Sequence, residues 1–320
     1  MTSPRRGRAA PALAGVVLCA ALLAGCAAPP QVAQLQNDWP SGLPARTLLT
    51  RVPFIPQDDF LCGPATLAMV SQAAGRRVTA DQLTPQVYLP GRQGALQTEM
   101  LAAARRQGLV AYPLAPDLRT LLTEVAAGEP VLVLQNLSLP IAPQWHYAVA
   151  VGYDRARDEI ILHSGTTPRM PMALPTFERT WARSEYWAVR VTAPDRLPAT
   201  ADADGWAHAV AALERSDVQA AQVAYRTGLR RWPDHRILLL GLGNTHYAQG
   251  RREQAATAYA AAVRSAPDFA DAWNNLAQVR LELGQIAQAR DAVQRAVALG
   301  GPRQAEYQKL QAAIEARRQP

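Results

Sequence analysis

Three residues in this chain carry the chemistry of a nucleophilic site: a lone thiol at Cys62, a side-chain amide at Gln57 and an imidazole at His146. Cys62 lies in VPFIPQDDFLCGPATLAMVSQ, from Val52 to Gln72. Gly63 and Pro64 follow the thiol, and the apolar run Leu67, Ala68, Met69, Val70 leads to Ala74 and Gly75. Proline fits only in the first turn of a helix, where its missing N–H would have no partner, so the spacing predicts a helix starting at or just after Cys62. A thiol there meets unpaired amides and the positive end of the helix, which stabilise a thiolate and predict a nucleophile available at neutral pH. Gln57 is close enough upstream to act as an oxyanion donor at the same point. His146 opens the run HYAVAVGYD to Asp154, just after Trp145 and a proline-containing loop, so it starts a strand from which it can exchange a proton with the thiol. Taken singly, a cysteine before an apolar helix is also the pattern of a small buried hydrophobe, and a strand-edge histidine is also a common structural residue.

The elements around these residues follow from periodicity. Leu48 to Ile55 reads as an opening strand, and Thr79 to Leu83 as the start of a short helix. Pro90 to Gly94 is a glycine-containing loop suited to border a cleft. Leu96 to Gln107 is helical, with Met100, Leu101 and Ala104 on one face and Gly108 as the stop, and Asp117 caps a further helix running to Ala127. From Pro130 the period changes to that of strands, at Val131 to Leu134, His146 to Asp154, Glu159 to His163 and Trp187 to Val191. Helices first and an antiparallel sheet afterwards give an α+β arrangement in which the nucleophile helix packs on the sheet.

Gln57, Cys62-Gly63-Pro64-Ala65, then Gly128-Glu129-Pro130-Val131 before a strand, His146-Tyr147-Ala148-Val149, and Gly152-Tyr153-Asp154 together resemble the papain-fold cysteine peptidases related to the exporter domains that cut double-glycine bacteriocin leaders. The resemblance covers about Leu48 to Val191 and implies Cys62 as nucleophile, His146 as base and Gln57 as oxyanion donor. That family places an Asp, usually followed by Pro, at the end of the strand after the histidine to orient the imidazole. Here the strand ends at Ile160, Ile161, Leu162, His163, Ser164, Gly165, so the orienting role falls to Ser164 or His163, or is vacant. A neutral orienter stabilises an imidazolium less than a carboxylate does, which leaves turnover lowered or lost. Cys62, His146 and His163 have the ligand types for a metal, but their spacing matches no short motif, and no cofactor or metal is expected.

After Thr192 the composition shifts, and beyond the linker from Pro194 the sequence repeats. Ala221, Ala255 and Ala289 stand 34 residues apart, as do Ser216, Gly250 and Gly284, and Tyr225, Tyr259 and Val293. The units are similar to the tetratricopeptide repeat. Trp273, Leu276, Ala277, Gly284, Ala289 and Ala296 fit one, and Leu239, Leu242, Gly243, Gly250, Ala255, Tyr259, Ala262 and Pro267 fit another. The first unit is the weakest match, and Gln304 to Arg318 reads as the closing helix. Such a stack presents a concave face, read here either as a helical spacer or as a docking surface for a peptide or protein. His208, His235 and His246, within the repeats, read as surface or packing residues.

The first residues are a targeting segment: Arg5, Arg6 and Arg8 precede an apolar run from Ala9 to Ala24. Its ending, Leu23-Ala24-Gly25-Cys26, resembles the bacterial lipoprotein signal. This implies acylation of Cys26, membrane attachment through that lipid and, with Ala27 next, sorting to the outer membrane facing the periplasm. Of three cysteines, Cys19 goes with the leader and Cys26 with lipid, which leaves Cys62 as a free thiol in an oxidising compartment. The net charge of +7 comes from scattered arginines with a single lysine, Lys309, and no basic block with interleaved aromatics is present, so no nucleic-acid partner is expected.

The expected organisation is a signal peptide at 1–26, a tether at 27–46 and an α+β papain-like cysteine peptidase domain at 47–193. A linker follows at 194–204, then an all-α tetratricopeptide-repeat solenoid with closing helix at 205–320. The expected function is cleavage of peptide bonds through a Cys-His thioester mechanism, with the repeats recruiting substrate or partner. The contrasting reading is a catalytically degenerate, peptide-binding scaffold.

Overall fold

The structure, a computed structural model, describes residues 28–57 and 60–317. The expected signal peptide, with Cys19 and Cys26, lies outside the described residues, as does Arg318 of the closing helix.

Short runs rich in Val, Ile and Leu, bounded by turns, build one antiparallel sheet. Its strands are β1 (Arg46–Leu48), β4 (Val110–Pro113), β5 (Val131–Asn136), β6 (Trp145–Asp154), β7 (Glu159–Ser164), β8 (Thr167–Ala173) and β9 (Ala188–Thr192); β2 (Tyr88–Leu89) and β3 (Gly94–Ala95) form a separate pair. The main sheet runs in the order β4-β9-β5-β6-β7-β8, with β1 joined to β6. The opening strand stops at Leu48 and does not reach Ile55. Two strands of the main sheet escape the sequence reading, β4 because it is four residues long, and β8 because TPRMPMA carries two prolines, which an edge strand tolerates, and the short β2–β3 pair escapes it as well.

Alternation within the strands divides the interior in two. Leu132, Leu134, Tyr147, Val149 and Val151 face a core with α2 (Cys62–Ala73), α3 (Ala80–Val87) and α4 (Gln97–Arg106). Val131, Val133, Ala148 and Ala150 face the opposite core, with α1 (Pro30–Asn37), α5 (Leu118–Ala126) and α6 (Leu174–Ala182). Local signals fix the helix starts: Thr79 and Gln82 form a capping box on α3, and Asp117 accepts from the Thr120 amide at the head of α5. Helix α6, which opens next to Pro175 and spans nine residues, was not anticipated.

The segment read as a tether contains α1. Val32 and Leu35 are buried, and the Glu178 carboxylate accepts from the Gln31 and Val32 amides at the start of the helix. The physical reason is pairing that local composition does not reveal, because a helix N-terminus needs an acceptor and finds one 146 residues away.

Three helix pairs follow: α7 (Ala203–Glu214) with α8 (Val218–Arg231), α9 (Arg236–Ala248) with α10 (Arg252–Ser265), and α11 (Ala270–Glu282) with α12 (Ile286–Leu299). Helix α13 (Gln304–Ala316) closes the stack. Close packing depends on small residues: a Cβ at Gly243 would come within 2.4 Å of the Tyr259 ring. The first repeat does not hang free of the sheet. Trp206, Val210, Leu213 and Tyr225 belong to the same core as the α5–α6 face, and the expected linker is clipped to the sheet domain. Glu124 accepts from the Ala199 amide and from both the amide and the hydroxyl of Thr200, while Tyr112 Oη donates to Asp202, the cap of α7.

Candidate active site

β5 ends, β6 begins and β7 ends at one margin of the sheet, and α2 brings its first residue, Cys62, to that margin. Thr66 Oγ1 donates to the Cys62 carbonyl at 2.6 Å, which holds the first turn. Gly63 is needed beside the thiol because a Cβ there would lie 2.6 Å from Cβ of Ala95 on β3, so glycine lets the β2–β3 pair close over the helix start. The resulting cleft has a volume of about 770 Å³, and Gln57, Cys62 and His146 all line it.

Gln57 is 7% exposed, and neither its Nε2 nor its Oε1 has a partner among the described residues. Its backbone is anchored by donation from its amide to the Gly165 carbonyl at 3.1 Å. A buried amide without partners costs about 1–3 kcal/mol, and no described residue offsets that cost at Gln57.

His146 Nε2 lies 2.8 Å from Ser164 Oγ. Of the two candidate orienters, Ser164 therefore meets the imidazole. His163 is turned elsewhere: its Nδ1 accepts from the Arg169 amide at 3.1 Å, its Nε2 faces the Val52 carbonyl, and its ring meets Phe54 edge-on. The reason is alternation, since neighbouring strand residues point to opposite faces, so Ser164 and His163 cannot both reach the same ring. With both its nitrogens bound to backbone groups, His163 does not join Cys62 and His146 as a ligand.

The electrostatics correct one expectation. Burial pushes the Cys62 thiol above its ordinary value, and it outweighs the backbone groups of Tyr147, Gly63 and Cys62 itself, which favour the thiolate. Burial also lowers His146. The helix terminus does act on the sulfur, but removal from water dominates, so burial favours the neutral form of both the thiol and the imidazole in this cleft. Backbone bonding of the sulfur by Tyr147 puts Cys62 next to the residue that follows His146.

Several lining residues gave no signal in the sequence. Arg183, Ser184 and Glu185, at the end of α6, form part of the wall, and Phe60 and Trp145 stand at the mouth. The loop expected to border a cleft does so through Arg92, Gln93 and Gly94. Three wall residues with side chains, Phe60, Gln93 and Glu185, have positive φ, at 66°, 48° and 57°. In the repeats, a second cavity of about 470 Å³ is lined by Asn244, Tyr259, Asn275 and Lys309 among others. There Asn244 Oδ1 accepts from Tyr259 Oη at 2.9 Å and from Asn275 Nδ2 at 3.2 Å.

Residues 49–189 match the model of the Peptidase C39 like family, and overlapping windows at 207–252, 240–304 and 274–319 match the tetratricopeptide repeat. The chain carries a C39-like peptidase domain followed by tetratricopeptide repeats. Among solved structures, the C39-like domain is similar to a Bacillus anthracis protein assigned to the C39-like peptidases, with 18% identity and a TM-score of 0.38 over 46% of this chain and 97% of that one. The repeats are similar to the Yersinia enterocolitica type III secretion chaperone SycD in complex with a peptide of the translocator YopD, at 15% identity and a TM-score of 0.34 over 36% of this chain and 94% of that one. They are also similar to the Sgt2 repeat domain from Aspergillus fumigatus, at 23% identity and a TM-score of 0.34 over 38% and 84% of the two chains. The comparison with curated proteins returned no match.

Proposed function

We propose that the C39-like domain is a cysteine peptidase in which Cys62 attacks the scissile carbonyl, His146 moves the proton and Gln57 holds the oxyanion. The observation that carries this reading is the buried Gln57 amide, without a partner among the described residues, in the same cleft as the thiol at the head of α2. In the free protein the thiol is neutral, so the S–H proton passes to His146 as sulfur attacks. The bond to sulfur forms while the carbonyl electrons move to oxygen, where the Gln57 amide and the Cys62 N–H donate. His146 then gives its proton to the departing amine as the C–N bond breaks. Water, deprotonated by the same ring, hydrolyses the thioester and restores the thiol. Ser164, bonded to His146 Nε2, fixes the ring so that Nδ1 is the nitrogen that exchanges the proton.

The repeats, in this reading, bind a protein or peptide partner and hold it near the C39-like domain, to which the first repeat is fixed through a shared core. The Leu23-Ala24-Gly25-Cys26 ending supports lipid attachment at Cys26 and a place in the cell envelope, facing the periplasm. Replacing Cys62 with Ala is expected to reduce hydrolysis of a peptide library to background with the thermal midpoint essentially unchanged. Cleavage that survives in Cys62→Ala would exclude the mechanism. If the unmodified chain cleaves nothing but binds peptides, the degenerate scaffold is the correct reading.

A further inference from the structure

Large apolar side chains left in water are unevenly distributed over this molecule. Among the described residues, eight are exposed, and six of them line the cleft or stand on a loop that walls it: Phe60, Leu96, Leu137, Leu139, Ile141 and Trp145. Phe60, Leu96 and Trp145 line it directly. The other three stand on the loop between β5 and β6, whose return limb, Pro143 to Trp145, is one of its walls. They come from three separate parts of the chain, so the fold and not local composition assembles them.

The loop is braced. Asn136 Oδ1 accepts from the amides of Ser138 and Gln144, the Leu137 amide donates to the Gln144 carbonyl, and Arg183 Nη1 donates to the carbonyls of Asn136 and Ser138. A loop held this firmly nevertheless presents Ile141 at 91% exposure and Leu139 at 60%. Phe60, also in the cleft lining, is held with a left-handed backbone, a costly conformation for an aromatic residue. Contiguous exposed apolar surface at the mouth of a cleft marks a place where something apolar binds.

We propose that this rim is a docking surface for a peptide segment with bulky apolar side chains, and that Leu139, Ile141 and Trp145 set that specificity. The inference rests on the peptidase reading for its chemistry, but its primary readout is binding. A peptide fits the rim better than a bilayer does. The rim is continuous with the cleft that holds Cys62, and Leu137 to Trp145, LSLPIAPQW, contains no Lys or Arg to hold an anionic headgroup. The cation behind the loop, Arg183, already donates to two of its carbonyls.

The test uses the full chain with Cys62→Ala and two fluorescein-labelled decapeptides that are identical except for Leu and Phe, or Ser and Ser, at two central positions. By fluorescence anisotropy the apolar peptide should bind about tenfold tighter or more, the scale expected when such side chains leave water. The preference should vanish in a Leu139→Ser/Ile141→Ser/Trp145→Ser variant. The double variant Leu139→Ser/Ile141→Ser removes only side chains that are mostly in water and should lose most of the preference with an unchanged thermal midpoint. Equal affinities for the two peptides, or a preference that survives in the triple variant, would overturn the proposal. So would co-sedimentation with phosphatidylethanolamine and phosphatidylglycerol vesicles that depends on these residues in the absence of any peptide preference. The unmodified chain separates the two readings. Equal cleavage of both peptides rejects the docking surface and keeps the peptidase; no cleavage, with the preference intact in Cys62→Ala, rejects the peptidase and keeps the docking surface.

Discussion

At the seam between sheet and repeats, Glu124 is fully buried and accepts three hydrogen bonds, from Ala199 and Thr200. At the margin of the sheet, Gln57 is nearly as buried and neither atom of its amide has a partner among the described residues. The contrast extends to the apolar residues. The seam buries Trp206 completely and turns its indole N–H onto the Ala224 carbonyl, whereas the cleft leaves Trp145 half in water. Of the six non-glycine residues with positive φ among the described residues, three, Phe60, Gln93 and Glu185, line the cleft. A region built for stability satisfies its own groups. A region built to bind keeps polar and apolar groups unsatisfied at a cost that the rest of the fold supports.

The sharpest way to break this comparison is to exchange the expected effects of the two regions. His146→Ala should lower kcat/KM for a cleaved peptide by about three orders of magnitude, the scale of losing a base from a nucleophile-base pair, with little change in thermal midpoint. A large loss of stability with retained turnover would place His146 among the structural residues. Trp206→Ala should do the opposite. It is expected to destabilise the chain by about 3–5 kcal/mol, measured by denaturant unfolding, while turnover per folded molecule is kept. If unfolding of that variant showed the repeats melting separately at unchanged sheet stability, the shared core would not be one cooperative unit.

Smaller effects sharpen the account of the cleft. Ser164→Ala removes the partner of His146 Nε2 and should reduce kcat by about tenfold with KM nearly constant, as expected for a group that orients the base without touching substrate. An unchanged kcat would mean that the ring needs no orienter.

The pH dependence is smaller still and has a definite sign. Burial raises Cys62, so the neutral thiol is the form the fold favours. Stability from this group is complete below the ordinary thiol value of about 8.5 and is lost as pH rises through the raised value. Burial lowers His146 and His163, so their contribution is present above the ordinary imidazole value of about 6.5 and is lost as pH falls through the depressed values. The thermal midpoint should therefore be highest between those two values, and Cys62→Ala should flatten the alkaline limb alone. In the free protein, alkylation of Cys62 by iodoacetamide should begin to accelerate at higher pH than for an ordinary thiol. A rate that is already maximal at neutral pH would point to a resting thiolate.

Much of the fold was legible because its signals are local. The Cys62-Gly63-Pro64 start and the apolar run after it specify α2, Asp117 caps α5, and the 34-residue spacing of Ala221, Ala255 and Ala289 places the helix pairs. What escaped was written in distant partners. The segment before the sheet domain looked like a tether because Glu178, which accepts at the start of α1, is far away in sequence. The linker looked free because Glu124 and Tyr112, which hold it, are equally remote. Strand β8 is hard to read because only Met170 and Met172 alternate inward along an otherwise exposed edge that carries two prolines.

At the cleft, residue types alone singled out Cys62, Gln57 and His146 and left the orienter open between Ser164 and His163. Which of these faced the ring was decided by the side of the strand on which each lands, and that depends on the register of β7 against β6. The charge of the thiol likewise belonged to the tertiary structure. Sequence sets which helix end the sulfur occupies, a short-range electrostatic effect, but dehydration depends on every element packed around the atom, and here it is the larger of the two. Local spacing determines which groups are available. Only the packing of the sheet margin decides which of them meet, and in what protonation state.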